Sequence, residues 1–242
     1  WLAETARRND SLLCVGLDPH PELLPAPTAR AARDVCLRWI EATAGSACAY
    51  KVNSAFFEVY GPEGIAALRD VLAAIPADTP SILDAKRGDI ASSARAYARA
   101  AFQTLGASAL TVSPYLGGDS VQPFLDDPAR AAFVLCKTSN PGSDDLQGQR
   151  LAGGEPFYVR VARTAQSWSS SGNVGLVVGA TDPSALAEVR AAAPDLWILS
   201  PGVGEQGGDL EAAVRAGLRS DGLGLLLAVS RSIARAADPR SE

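Results

Sequence analysis

Ser81-Ile82-Leu83-Asp84-Ala85-Lys86-Arg87-Gly88-Asp89-Ile90 begins as an apolar run and breaks into alternating charge. The first half suits a strand covered on both faces, and the charges fall where such a strand ends. Residues two apart on an extended chain share a face, so Asp84 and Lys86 project together. Seven further runs have the same character: Leu12–Asp18, Ala47–Asn53, Ala109–Tyr115, Ala132–Thr138, Val174–Gly179, Leu196–Pro201 and Leu223–Ser230. Most are continuously apolar rather than alternating, as parallel strands are. Helix-like stretches separate them at Thr28–Ala44, Ser92–Leu105, Pro183–Ala193 and Asp209–Ala216, with Thr28 placed to cap the first. Strand–helix alternation predicts parallel βα units, and eight of them in 242 residues predict an α/β fold, a (β/α)8 TIM barrel. An open Rossmann-like sheet is the alternative, but no GxGxxG follows the first run. The Gly/Ser/Pro-rich segments Asn140–Pro156 and Ser167–Asn173 read as loops inside one domain spanning residues 1–242.

Bulk properties narrow the function. A net charge of −5 and a pI near 5.0 provide no basic field for a nucleic-acid backbone, whereas a small anion needs only a local cluster of donors. No apolar run approaches the roughly 18 residues of a membrane span, and no signal-peptide pattern opens the chain, so a cytoplasmic location is expected. Cys14, Cys36, Cys48 and Cys136 form no CxxC pair and read as reduced, buried thiols rather than disulfides. His20, between Pro19 and Pro21, is the sole histidine. That excludes a multi-histidine metal site and argues against a Ser-His-Asp triad, and His20 itself reads as a loop residue. The chain starts at Trp1 and lacks methionine, so a trimmed start, or one domain of a longer protein, is expected.

In a barrel, ligands collect at the C-terminal ends of the strands. The first run ends in Asp18, the second in Lys51 and Asn53, and the third in Asp84 and Lys86, with Asp89 following. One such charge could be solvated, and the whole set could be a packed ion network. The same set also offers chemistry, because carboxylates beside an ammonium keep it protonated and aimed, as a general acid requires. The seventh run leads into Pro201-Gly202-Val203-Gly204-Glu205-Gln206-Gly207-Gly208-Asp209, and the eighth into Ser230-Arg231. Glycines there would let backbone N–H groups approach a phosphate, with Arg231 as a charged donor and Gln206 as a hydrogen-bonding one. After the fifth run, Lys137-Thr138-Ser139-Asn140-Pro141-Gly142 is either a locally capped turn or a reader of a planar base.

Together these segments resemble the orotidine 5'-monophosphate decarboxylases, above all the bacterial branch that writes its Asp-x-Lys-x-x-Asp signature as DAKRGDI. The likeness extends through Gly16–Pro19, Tyr50–Asn53, Thr111–Tyr115, Lys137–Gly142, the loop after the seventh run and Ser230-Arg231. Glu205, where a small residue is expected, is a departure that puts negative charge beside the phosphate loop. The resemblance implies a cofactor-free and metal-free enzyme. In it Lys51, Asp84, Lys86 and Asp89 form a charged tetrad, with Asp89 shared across a homodimer interface. It further implies Asp18 and Lys51 at the ribose, Ser93 near the pyrimidine, and Ser139 with its Pro141 turn at the base. Gln206 and Arg231 would hold the phosphate of orotidine 5'-monophosphate, and Lys86 would protonate C6 to give UMP. Two rivals stand beside this reading: a Mg2+-dependent sugar-phosphate lyase of the same barrel group, and a silent nucleotide-binding barrel. Fusion to a phosphoribosyltransferase is left open by the sequence.

Overall fold

The computed structural model describes residues 1–202, 209–236 and 238. Its eight strands are β1 Leu13–Leu17, β2 Ala49–Asn53, β3 Ser81–Arg87, β4 Ala109–Val112, β5 Ala131–Lys137, β6 Val174–Val178, β7 Trp197–Pro201 and β8 Leu225–Val229. They pair in chain order, all in parallel, and β8 closes on β1. The expected (β/α)8 barrel is what forms. Strand ends differ from the sequence reading by a few residues. The largest change is at β4, which stops at Val112 because Pro114 follows Ser113 and has no N–H for a ladder.

The helices are α1 Leu2–Asn9, α2 Ala29–Thr43, α3 Ala55–Glu58, α4 Gly61–Ala74, α5 Ala91–Arg99, α6 Gly118–Val121, α7 Phe157–Trp168, α8 Pro183–Ala192, α9 Leu210–Gly217 and α10 Arg231–Arg235. Thr28 caps α2 as expected, its side chain accepting from the Ala31 N–H; Asp182 and Asp209 do the same for α8 and α9. The stretch read as a helix to Leu105 leaves α geometry at Ala100 and finishes as a π-turn over Ala100–Thr104. Ser167 and Trp168, read as loop, are the last turn of α7, whose buried stripe is Tyr158, Val159, Ala162 and Ala165. No helix among the described residues is long and apolar enough to cross a membrane.

Alternation along each strand separates two cores. Val15, Val52, Leu83, Leu110, Val134, Leu176 and Ile198 face outward and pack under the helices. Cys14, Ala49, Ile82, Ala109, Phe133, Val177 and Leu199 fill the barrel interior with Leu2 and Ala6 of α1, which close its lower end. Phe133 fits because the facing residue is Gly175; a Cβ there would lie 2.6 Å from the ring. All four cysteines are free and buried, and burial raises their thiols, Cys48 to about 11 and Cys136 to about 12. They pack as small apolar groups. With an apolar lower layer and a closed bottom, the barrel leaves its polar inward residues only at the C-terminal mouth.

Candidate active site

Two residues further up β1 to β5, and at Val177, Leu199 and Ala228 on β6 to β8, the inward positions form the floor of a cavity of about 510 Å³. The floor has two halves. Gly16, Lys51, Asp84 and Thr111, from β1 to β4, are small or polar; Leu135, Val177, Leu199 and Ala228, from β5 to β8, are apolar. Gly16 keeps β1 close to the start of α10, since a Cβ there would sit 2.7 Å from that of Ser230. Above the floor the rim is built from Asp18, His20, Asn53, Phe56, Lys86, Thr138, Ser139, Asn140, Pro201, Gly202, Ser230 and Arg231. His20 is a loop residue, as expected, with its ring packed edge-on to Phe56 at 4.3 Å between centroids.

The charges on the polar half are linked in a chain. Lys51 Nζ donates to Asp18 Oδ1 at 3.3 Å and to Asp84 Oδ2 at 3.2 Å. Lys86 Nζ donates to Asp84 Oδ1 at 2.7 Å. Two ammoniums and two carboxylates balance, so the group carries no net charge into the barrel. Burial by itself would strip the proton from Lys51, but Asp18 and Asp84 outweigh it and raise its pKa. Burial also works against the charge on Asp84, yet Lys51, Lys86 and a hydrogen bond from Thr111 hold its carboxyl below the ordinary 3.8. The Lys51 side chain is 9% exposed and that of Lys86 is 50% exposed. Lys51 is therefore a fixed part of the floor, while Lys86 reaches into the space where a ligand would lie.

Of the residues singled out from sequence, Asp18, Lys51, Asp84, Lys86, Ser139 and Arg231 line this one cavity. Asp89 does not join the chain of charges; its Oδ1 accepts the Ile90 N–H at 2.7 Å. Ser93 is exposed on the first turn of α5, and Pro141 is exposed at the start of the short 3-10 turn Pro141–Asp145, both outside the cavity lining. Gln206 and Glu205 lie outside the described residues.

Two residues with site roles carried no assignment in the sequence reading. Thr111, 1% exposed, donates to Asp84 Oδ1 at 2.9 Å and accepts the Lys86 N–H at 2.9 Å. Lys137 is buried at the end of β5, where its ammonium donates to Ser143 Oγ at 2.7 Å and Asp144 Oδ1 at 2.6 Å. Lys137 thereby ties the 3-10 turn to the strand, and Gln147 Oε1 accepts the Thr138 N–H at 2.7 Å to hold the start of the same loop. A lysine ending an apolar strand was the signal for Lys137, the one already read at Lys51. Nothing in a threonine on a strand announces the partners of Thr111.

A (β/α)8 barrel with an ammonium–carboxylate chain in the open cavity at its C-terminal mouth defines a barrel enzyme acting on a small molecule. More particularly, the chain belongs to the orotidine 5'-phosphate decarboxylase / HUMPS family, whose model matches residues 11–242. It is 54% identical over 236 residues to orotidine 5'-phosphate decarboxylase of Roseiflexus castenholzii, covering 96% of this chain and 86% of that protein. The structure of Leishmania donovani OMP decarboxylase superposes with a TM-score of 0.92 at 57% identity, over 99% of this chain and 91% of that one. Leishmania donovani UMP synthase matches with a TM-score of 0.94 at 59% identity, over 99% of this chain but 52% of that longer one.

Lys51→Met tests the electrostatics. It leaves Asp18 and Asp84 buried without their shared counter-charge and is expected to cost about 3–5 kcal/mol at pH 7 in urea unfolding. In the parent, the stability from Asp84 is present above its unfolded pKa and lost as pH falls through its lower folded value. With Lys51 gone burial dominates, the folded pKa rises above the unfolded one, and stability declines as pH climbs from about 4 towards 7. Urea midpoints across that range check the reversed slope.

Proposed function

We propose that this chain decarboxylates orotidine 5'-monophosphate to UMP, the step that completes the uridine nucleotide in pyrimidine biosynthesis, and does so without a cofactor. The observation that carries this reading is the chain Asp18–Lys51–Asp84–Lys86 across the floor and rim of the cavity, which holds one exposed ammonium beside one buried carboxylate. Family membership and the named relatives supply the substrate.

Loss of CO2 from C6 leaves an electron pair on a ring carbon with no neighbouring carbonyl to accept it. The enzyme must therefore stabilise a localised carbanion and quench it. With the pyrimidine over the apolar half of the floor, its carboxylate points at the polar half, towards Asp84 and Lys86. Two carboxylates face each other in the ground state, and the repulsion ends when the C6–C bond breaks and CO2 departs. The Lys86 ammonium then faces the new electron pair and passes one proton to C6, leaving a neutral amine that solvent reprotonates. Asp84 aims that ammonium, and Lys51 keeps Asp84 ionised. Asp18 and Lys51 hold the ribose hydroxyls, and the loop of Ser139 and Pro141 reads the base edge, with Ser93 beside the pyrimidine. Arg231, at the first position of α10, holds the phosphate with Gln206, which follows β7 in sequence. Phosphate binding far from C6 provides energy for closing and drying the site.

Two copies complete the site in this reading. Asp89 sits on the loop between β3 and α5, beside Ile90, which is 55% exposed, and outside its own subunit's charge chain. In a homodimer, Asp89 reaches the partner's Lys51 and Lys86 and finishes the alternation of charge.

Lys86→Ala is expected to abolish the absorbance change of orotidylate while UMP still binds; near-parent turnover removes Lys86 as the donor. Parent activity is expected to survive EDTA, and loss with chelator would favour the Mg2+-dependent lyases. Mixing Lys86→Ala with Asp89→Asn, each inactive alone, is expected to restore about a quarter of parent activity, since half of randomly mixed two-fold dimers carry one complete site. No restoration would place Asp89 outside the partner's site. Arg231→Ala is expected to raise KM for orotidylate by about tenfold or more, as loss of a charged phosphate contact does. Unchanged kinetics would move the phosphate site elsewhere.

A further inference from the structure

Lys86 has a backbone φ of 47°, in the left-handed region that a residue with a Cβ avoids. The neighbouring ladder shows where that conformation comes from. Leu83 pairs with Leu110 and Arg87 with Val112, so four steps along β3 are matched by two along β4. The extra residues bulge, as strands do beside catalytic centres, and the bulge contains Asp84, Ala85 and Lys86. A bulged strand loses ladder partners, and the Lys86 N–H is one that needs replacing. Its acceptor is a side chain, Thr111 Oγ1 at 2.9 Å, and the ladder resumes with the Ser113 N–H donating to Arg87 O at 2.8 Å.

The direction of each hydrogen bond is fixed by chemistry. An ionised Asp84 can only accept, and a backbone N–H can only donate. The one proton of the Thr111 hydroxyl therefore goes to Asp84 Oδ1, and its lone pair receives Lys86 N–H. The same carboxylate oxygen also accepts Lys86 Nζ. Backbone, ammonium and carboxylate of the reacting pair thus meet at one buried hydroxyl.

We infer that Thr111 is a positioning residue for the decarboxylation: its hydroxyl locks the bulge that presents Lys86 and fixes the plane of the Asp84 carboxylate against it. This rests on the reading of Lys86 as proton donor. Thr111 also lines the cavity floor, but its hydroxyl is committed to the protein, so its effect falls on the geometry of the chemical step and not on substrate affinity.

Thr111→Val keeps the shape and removes both hydrogen bonds. Displacing a reacting group by about an ångström can cost 10²-fold, so kcat is expected to fall by roughly ten- to a hundredfold. KM for orotidylate and Kd for UMP are expected to stay within about threefold of the parent, the split that marks an interaction made in the transition state. Thr111→Ser, which retains the hydroxyl, is expected to recover kcat to within about threefold of the parent. Thr111→Ala, lacking the hydroxyl without setting a methyl against the carboxylate, must show the same kcat-only loss, and it serves alone if the valine variant does not fold. Parent-like kcat in Thr111→Val or Thr111→Ala overturns the inference. So does a serine variant as impaired as valine, because that is a packing effect. If Lys86→Ala keeps its turnover, the donor assignment fails and this inference with it. If Lys86→Ala is dead while Thr111→Val matches the parent, only the role of Thr111 fails.

Discussion

A lysine ammonium lodged between two carboxylates is the interaction on which the site depends. Lys51 is buried where it stands, and it is the counter-charge that Asp18 and Asp84 share. The three residues come from three neighbouring strands, Asp18 directly after β1, Lys51 within β2 and Asp84 within β3, so their meeting requires a closed, staggered sheet with β1, β2 and β3 side by side. Barrel closure and site electrostatics therefore support each other. The charge chain is neutral as a whole, which lets it lie directly on the apolar layer of Cys14, Ala49, Ile82 and Phe133.

The division of the floor gives the cavity its direction. Polar residues from the first four strands face aliphatic ones from the last four, so a ring with one charged substituent has one favourable orientation. The rim adds a second polarity, with Arg231 on the apolar side, far around the barrel from Lys86 in strand order. A ligand charged at both ends spans those two poles. In the proposed reading, phosphate binding at Arg231 and proton chemistry at Lys86 act on one substrate through one cavity, and the energy of the first serves the second.

One point of local strain lies within the charge chain itself. Most of the barrel is regular ladder, but β3 departs from register at Asp84–Lys86, and Lys86 adopts a conformation that costs about 1–2 kcal/mol for an ordinary residue. The hydrogen bond that Lys86 N–H donates to Thr111, the one Thr111 donates to Asp84, and the ion pair with Asp84 offset that cost. Such strain persists when surrounding contacts over-determine it, and here each of those contacts also fixes Lys86 or Asp84 of the charge chain. The loop after β5 is secured in a similar way, with buried Lys137 holding Ser143 and Asp144 while Ser139 stays at the rim.

The sequence by itself determined the barrel and the identity of the charged mouth. Eight apolar runs alternating with helical periodicity permit few other folds, and an apolar strand that ends in Asp84 and Lys86 can bear those charges only at an opening. The cap at Thr28 is local and equally legible. Partnerships across strands were decided by the tertiary structure alone. Thr111 reads as one more strand threonine until β4 lies against the bulge in β3, because a hydroxyl declares no partner through its neighbours in sequence. Asp84 and Lys86 look equivalent in the motif, yet closure buries one and leaves the other half exposed. Periodicity reports which face a residue takes; depth in the barrel depends on the stagger of eight strands, which no local pattern encodes.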